Sequence, residues 1–369
     1  MGGPTARNRT TTFEHLARLT TPSGLFEHAL GTAPRPGNGM CVDDVARALV
    51  VTARTPDPAP DVMVMTATYL RFVLSAQRAG GLMHNRRTAD GAWVDAPTSD
   101  DHWGRALWAL STAAVNLPDA RLAADARRGA SAAMAARSVH PRAMAYAALG
   151  AAQLHRTFPE DEAALRLLRD ARTVLPRPRS EPVWPWPEAR LTYGNAVLPE
   201  AMITVGAELG DHGLLHDGLS LLRWLVDEQT VDGHLSLVPA GGRAPGDARP
   251  GFDQQPIEAA ALAEAAATAF TATGDGRWFA VLDLCMRWFE GDNDGRRPMR
   301  DAATGGGFDG LEAGGVNQNQ GAESTLAWLA CRQLARVVPV TPAVMPVMPV
   351  MLAMPAMPVT LAMPVVAAR

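Results

Sequence analysis

The stretch DDVARAL at residues 43–49 is similar to DDHWGRAL at residues 100–107, which has one residue inserted. Each copy opens with an acidic pair, which favours a helix start, and carries Arg-Ala-Leu about one turn later. A second internal similarity relates SAQRAGGL at 75–82 to DEQTVDGH at 227–234. In both stretches a Gln and then a Gly follow a helical pattern. Such internal similarities predict helix hairpins that stack side by side.

The rest of the chain follows the same pattern, because helical periodicity dominates and alternating strand patterns are nearly absent. Twelve helices make six hairpins, which can close into a ring. We therefore predict an all-α fold, an (α/α)6 toroid, over residues 1–338, followed by a low-complexity segment at 339–369. The predicted helices cover residues 12–19, 42–53, 61–77, 101–114, 117–136, 141–156, 161–174, 195–209, 213–228, 256–273, 276–290 and 321–335.

The Pro/Met-rich segment from residue 337 onward is apolar for long enough to span a membrane. However, its prolines recur every few residues, and each one inside a helix costs about 3 kcal/mol. We therefore predict a disordered or extended appendage, without a membrane span.

Composition excludes several classes of function. The net charge is −4 over 369 residues and no long basic stripe occurs, so nucleic acid is not expected as a partner. No Lys occurs at all, which excludes Schiff-base and P-loop chemistry. Three single cysteines and no secretory leader favour a reducing, cytoplasmic location. Since no zinc-ligand spacing or nucleotide motif is present, we predict neither a metal nor a cofactor.

The acidic pairs at the two similar helix starts are the first candidates for catalytic or binding residues. One Asp is enough to cap a helix, so Asp43 and Asp100 can be caps alone. The second acids, Asp44 and Asp101, are surplus to capping, and they point to a site where the inner helices of the ring begin.

The stretch EPVWPWPEARLTYGN at 181–195 is the most informative one. Interleaved prolines exclude an ordinary helix around Trp184 and Trp186, so a stiff loop can present both rings to a sugar. Glu188, Arg190 and Asn195 follow within a few residues. The alternative is that both rings plug the core and that Glu188 and Arg190 form a surface pair.

Two more helix starts combine amides with acids. Asp253 and Gln255 precede Glu258, and Gln320 precedes Glu323. Carboxylates and amides together supply the donors and acceptors that hydroxyl groups require. Helix capping by the two glutamates explains the same pattern equally well.

Five stretches together resemble the six-hairpin glycosidase superfamily, and in particular uncharacterised members found beside or fused to glycosyltransferases. The resemblance covers roughly residues 24–338. It is carried by GMCVDDVARAL, DDHWGRALWAL, WPWPEARLTYGNAVLPEAM, FDQQPIEAAALAEAA and NQGAESTLAWL.

This resemblance implies a glycoside hydrolase that acts on an oligosaccharide or glycoconjugate through two carboxyl groups, one an acid and one a base. We predict Asp101 and Glu188 as the pair, with Asp44 as an alternate partner. The remaining predicted contacts are with the substrate. Sugar stacking is expected from Trp103, Trp184 and Trp186, and polar contacts from Asp43, Asp100, His102, Arg190, Asn195, Asp253, Gln255, Glu258, Gln320 and Glu323.

Two alternatives remain open at this level. The same toroid supports sugar epimerases, which usually rely on pairs of histidines, whereas His102 is the only histidine in an acidic helix-start motif. A noncatalytic glycan-binding subunit that serves a glycosyltransferase would keep the tryptophans and tolerate loss of the carboxylates.

Overall fold

The computed structural model describes residues 13–337, and the predicted tail at 339–369 lies outside them. All twelve predicted helices are present there, with ends that differ from the prediction by a few residues. They are α1 (Glu14–Leu19), α2 (Val42–Ala53), α3 (Pro60–Ala76), α4 (Asp101–Asn116), α5 (Ala120–Ala133), α6 (Pro141–Thr157), α7 (Glu162–Val174), α8 (Val197–Leu209), α9 (His212–Glu228), α10 (Pro256–Thr273), α11 (Arg277–Glu290) and α12 (Ala322–Val337).

The even-numbered helices form a closed inner ring. Each one packs on the next, from α2 through α4, α6, α8 and α10 to α12, and α12 packs back on α2. The odd-numbered helices lie outside this ring against their inner neighbours, and α1 lies against α12. This arrangement confirms the predicted (α/α)6 toroid.

Residue size explains which helices lie inside. Inner helices are rich in Ala and Gly, so their backbones can approach closely. A Cβ atom at Gly104 of α4 would lie 2.2 Å from the carbonyl oxygen of Ala143 in α6. Outer helices are amphipathic instead: α7 buries Ala164, Leu167, Leu168 and Ala171 on one stripe.

Small two-stranded ribbons join the loops between helices. They pair Thr20–Thr21 (β1) with Gly24–Leu25 (β2), Ala29–Leu30 (β3) with Ala33–Pro34 (β4), Met40–Cys41 (β5) with Arg86–Arg87 (β6), Thr230–Val231 (β7) with His234–Leu235 (β8), and Leu311–Glu312 (β9) with Gly315–Val316 (β10). The β5–β6 ribbon ties the loop before α2 to the loop before α4. These loops therefore hold the starts of neighbouring inner helices in place.

Within residues 13–337, no helix combines the length and the apolarity that crossing a membrane would require.

Candidate functional site

The starts of α2 and α4 are joined by a buried arginine. Arg105 of α4 reaches Asp43 of α2, with 2.5 Å from Nη1 to Oδ1, and its Nη2 lies 3.5 Å from Oδ2 of Asp101. Burial alone would raise the pKa of Asp43, but the guanidinium groups of Arg105 and Arg47 outweigh burial and lower it. Asp43 is therefore an ionised structural link at neutral pH.

A second arginine joins α2 to α12. Arg47 donates from Nη1 to Oδ1 of Asp44 at 2.6 Å, and its Nη2 lies 2.9 Å from Oε2 of Glu323. Asp44 is almost completely buried. Burial, together with the negative charges of Glu323 and Glu27, outweighs Arg47 and raises the pKa of Asp44 to about 7.

A third arginine organises the Trp-rich loop. Arg142, at the start of α6, binds both carboxylate oxygens of Glu188 at 2.7 and 2.8 Å. Its Nε also donates to the carbonyl oxygen of Tyr193 at 2.7 Å. Burial would raise the pKa of Glu188, but these hydrogen bonds and the charge of Arg142 lower it. Glu188 is thus held ionised with both oxygens engaged.

Asn195 and Glu258 lie side by side beneath this loop. Asn195 donates from Nδ2 to Oε2 of Glu258 at 2.8 Å, and the backbone N–H of Gly194 also donates to that carboxyl group. Burial raises the pKa of Glu258, although these hydrogen bonds act in the opposite direction. Asn195 and Glu258 therefore hold this loop in place, and their contacts with a substrate stay a prediction.

The three tryptophans are buried, so the predicted stacking on sugars is wrong for them. Trp103 and Trp186 have no exposed surface and Trp184 is 6% exposed. Trp184 and Trp186 pack against Trp224 of α9, with ring centroids 5.1 and 6.1 Å apart. Their indole nitrogens donate to Glu188, from Trp184 to its carbonyl oxygen and from Trp186 to its carboxylate. Both tryptophan rings of the loop therefore plug the core, as the alternative expected, but Glu188 pairs with Arg142 and not with Arg190.

Asp253 is a partly exposed carboxyl group in a different environment. Its Oδ1 is buried and has no hydrogen-bond partner among the described residues. The loop at Gly310 covers that oxygen so closely that a Cβ there would lie 2.0 Å from it. Burial, and then the charges of Glu312 and Asp309, raise the pKa of Asp253 to about 6. Gln255, two residues later, directly precedes α10 without capping it through its side chain.

Four other predicted contacts have peripheral or structural positions. Asp100 accepts a hydrogen bond from Thr98 and is exposed, and Arg190 is 48% exposed and lies 3.9 Å from Asp247. His102 is buried, with Nε2 2.9 Å from the carbonyl oxygen of Met83.

Gln320 donates to Asp301 at 3.0 Å and accepts from Thr304 at 2.7 Å. His102 and Gln320 therefore have structural partners in place of the predicted substrate contacts.

Sequence reasoning missed the role of Tyr193. Its hydroxyl donates to Oδ2 of Asp101 at 2.9 Å, and Arg142 lies 4.9 Å from the centre of its ring. The residue is 46% exposed, so part of its ring is open to a ligand. Arg47 and Arg105 do carry a signal, since each occurs at a similar offset from an acidic pair, but in the sequence alone this signal indicates only a repeat.

These groups form one charged belt around the starts of the inner helices. Arg47 interacts electrostatically with both Glu323 and Arg105, and Tyr193 with Asp101, Arg105 and Arg142. Asp309 interacts electrostatically with both Glu323 and Asp253. The acidic belt, as we name it, consists of Asp43, Asp44, Asp101, Glu188, Asp253, Glu258, Asp309 and Glu323 with Arg47, Arg105 and Arg142.

One group of side chains has the composition of a metal site. Potential ligand atoms of Glu27, Cys41 and Asp44 all lie within 4.8 Å of one another. Arg86 and Arg47 already pair with the two carboxylates, at 2.7 and 2.6 Å. The negative charge is thus neutralised by arginine, and we assign no ion to the group.

Comparison with known proteins supports the fold. No family model matches the chain, and no curated protein is similar in sequence. Among solved structures, cellobiose 2-epimerase from Bacillus thermoamylovorans matches with a TM-score of 0.66 at 10% identity, over 87% of this chain and 95% of that one. A sugar epimerase from a ruminal bacterium gives 0.63 at 13%, over 89% and 96%.

The GH76 α-mannanase of Bacteroides thetaiotaomicron is similar as well, with a TM-score of 0.56 at 11% identity over 80% of this chain and 86% of that one. The chain therefore has the six-hairpin (α/α)6 toroid fold of these epimerases and of this mannanase.

Proposed function

We propose that this chain is a carbohydrate-active enzyme, and specifically a glycoside hydrolase that inverts the anomeric centre of an oligosaccharide or glycoconjugate. The observation that carries the proposal is the pair of opposed carboxyl environments in the acidic belt. One carboxyl group, Asp253, has a raised pKa and an unpartnered oxygen. Another, Asp101, accepts a hydrogen bond and faces a cation. Inverting hydrolysis needs one protonated and one ionised carboxyl group.

Asp253 fits the role of general acid. A pKa of about 6 keeps much of the group protonated in mildly acidic solution, so it can donate a proton to the leaving oxygen. The residue is partly exposed in the loop before α10, so a substrate can reach it.

Asp101 fits the role of general base. Its Oδ2 accepts a hydrogen bond from the hydroxyl of Tyr193, and Nη2 of Arg105 lies 3.5 Å away. The side chain is 19% exposed, which leaves room for a water molecule beside it. Asp101 begins α4, and α10 lies across the ring from α4, so acid and base would face a substrate from opposite sides.

This assignment revises the predicted pair. Both oxygens of Glu188 are bound by Arg142, so we assign it to positioning the loop that carries Tyr193. Asp44 is too deeply buried to reach a substrate and is assigned to holding Arg47.

Sugar epimerisation is the second candidate, because two of the similar structures are sugar epimerases. That reaction would use the same end of the ring and a free monosaccharide or a reducing end. A noncatalytic glycan-binding subunit, with a glycosyltransferase as its partner, stays a prediction from the sequence resemblance.

A screen of α- and β-linked oligosaccharides, with products followed by anomer-resolved NMR, tests the proposal. We expect a reducing sugar that is released with inverted configuration. Asp253→Asn and Asp101→Asn should each lower turnover by about 100-fold or more, as expected for loss of general acid–base catalysis. Asp100→Asn, which changes the exposed neighbour, is the matched control and should leave turnover within about twofold of the wild type.

The other outcomes separate the candidates. Interconversion of a free sugar, without cleavage, would identify an epimerase. Binding without any turnover would identify the glycan-binding subunit. Full activity of both Asn variants would rule out the proposed pair.

A further inference from the structure

A cavity lies between the inner helices, mostly toward their C-terminal ends, and reaches Glu200 in the first turn of α8. It has a volume of about 1030 Å³ and is lined mainly by residues of α4, α6, α8, α10 and α12 and of the segment that follows α2. No member of the acidic belt lines it. We call it the far cavity.

Two buried glutamates lie at the base of the far cavity. Glu200 of α8 is 5% exposed, and Glu264 of α10 is 9% exposed. Oε1 of Glu264 accepts from Arg54 at 2.6 Å, and Oε1 of Glu200 accepts from the hydroxyl of Thr268 at 3.0 Å. Arg54 thus pairs with Glu264, and Glu200 has no ion-pair partner within residues 13–337.

The second observation is an unused hydroxyl group beside these acids. Thr204 lies one helical turn after Glu200, on the same face of α8, and lines the same cavity. It is 3% exposed, and its Oγ1 has no hydrogen-bond partner among the described residues. A buried hydroxyl group without a partner is costly, and its oxygen can accept a hydrogen bond from a ligand in the cavity.

The wall of the cavity is largely apolar above this polar base. Its lining includes Phe13, Trp108, Leu149, Ile203 and Phe270. The remaining charged lining residues are Asp57, Arg156 and Arg336, which are exposed and therefore screened by solvent. A fitting ligand would have a cationic head and an apolar body.

We propose that the far cavity binds an organic ammonium ion, whose charged group lies between the carboxyl groups of Glu200 and Glu264 and the hydroxyl of Thr204. An ammonium group has three donors and no acceptor, which matches three oxygen acceptors. The apolar lining receives the carbon skeleton of the ion. This binding does not depend on the proposed hydrolase activity, although Glu200 and Glu264 also line a smaller pocket together with Arg47, Arg105 and Glu323 of the acidic belt.

Protonation gives the site a distinct pH response. Burial and the charge of Glu264 raise the pKa of Glu200 to about 8, while Thr268 and Arg54 act against them. The ammonium ion requires ionised Glu200, so binding near neutral pH releases a proton. Affinity should therefore increase with pH up to about 8 and then level off, provided that the amine itself stays protonated.

Isothermal titration calorimetry of the full chain with n-hexylammonium, and with 1-hexanol as the neutral analogue, tests this site. We expect saturable binding of the cation and at least about tenfold weaker binding of the alcohol. The enthalpy near neutral pH should depend on the buffer, because a proton is released. Equal affinity for the two ligands, or no saturable binding of the cation up to about 10 mM, would overturn the proposal.

Three variants make the test specific. Glu200→Gln should weaken hexylammonium binding by at least about tenfold, and Thr204→Val by about threefold or more. Asp57→Asn removes an exposed carboxyl group at the rim and should change affinity by less than about twofold. If Glu200→Gln and Thr204→Val both fold, as judged by circular dichroism, and bind as the wild type does, the proposal is wrong.

Discussion

Arg142 contacts three parts of the candidate site, and no motif in the sequence marked it. It binds the carboxylate of Glu188, the carbonyl oxygen of Tyr193 and, at 3.5 Å, the amide oxygen of Asn195. The sequence did predict that Glu188 and Asn195 belong to the site end of the ring. It did not predict their partner, because Arg142 and Glu188 are 46 positions apart and only the fold brings them together.

Replacement of Arg142 should therefore reduce stability as well as disturb the site. We expect Arg142→Met to lower the free energy of unfolding by about 2–4 kcal/mol, since a partly buried carboxylate loses its cation. Urea denaturation measures this change. Arg166→Met is the control: it removes an exposed pair with Glu162 and should cost less than about 0.5 kcal/mol. Equal losses in the two variants would contradict the role assigned to Arg142.

At the scale of the elements, helices were predictable and side-chain direction was not. Helix positions follow from periodicity, caps and prolines, which are local signals; Asp161 and Asp119, for example, cap α7 and α5 through their side chains. The direction of Trp184 and Trp186 depends on packing against Trp224, about 40 positions away. A stiff loop was correctly inferred, but local sequence does not determine which face of such a loop is buried.

Close packing between α4 and α6 gives a prediction at this scale. Gly104→Ala should lower the free energy of unfolding by about 1–3 kcal/mol, because a methyl group there would collide with the backbone of Ala143. Gly213→Ala, in the first turn of outer helix α9, has space for the same methyl group. Thermal denaturation should show a lower Tm for the first variant and an unchanged or slightly higher one for the second. A higher Tm for Gly104→Ala would contradict the packing described for the inner ring.

For the whole molecule, closure of the ring brings together groups that are distant in sequence. Asp101 and Tyr193 are 92 positions apart and form a hydrogen bond, whereas Asp43 and Asp44 are adjacent and belong to different ion pairs. The part of the helix-start acids in a functional site stays a prediction. Roles within it depend on burial and on arginine partners, which only the assembled ring determines.

The pH dependence of kcat/KM for the wild type and Asp253→Asn tests the central claim most directly. Asp253 must be protonated to act as the acid, so wild-type kcat/KM should fall as the pH rises through about 6. In Asp253→Asn that decrease should disappear, and kcat/KM at about pH 5 should be at least about 100-fold lower. A wild-type rate that stays constant or rises between about pH 5 and 8, or a variant that keeps the wild-type profile, would contradict the account.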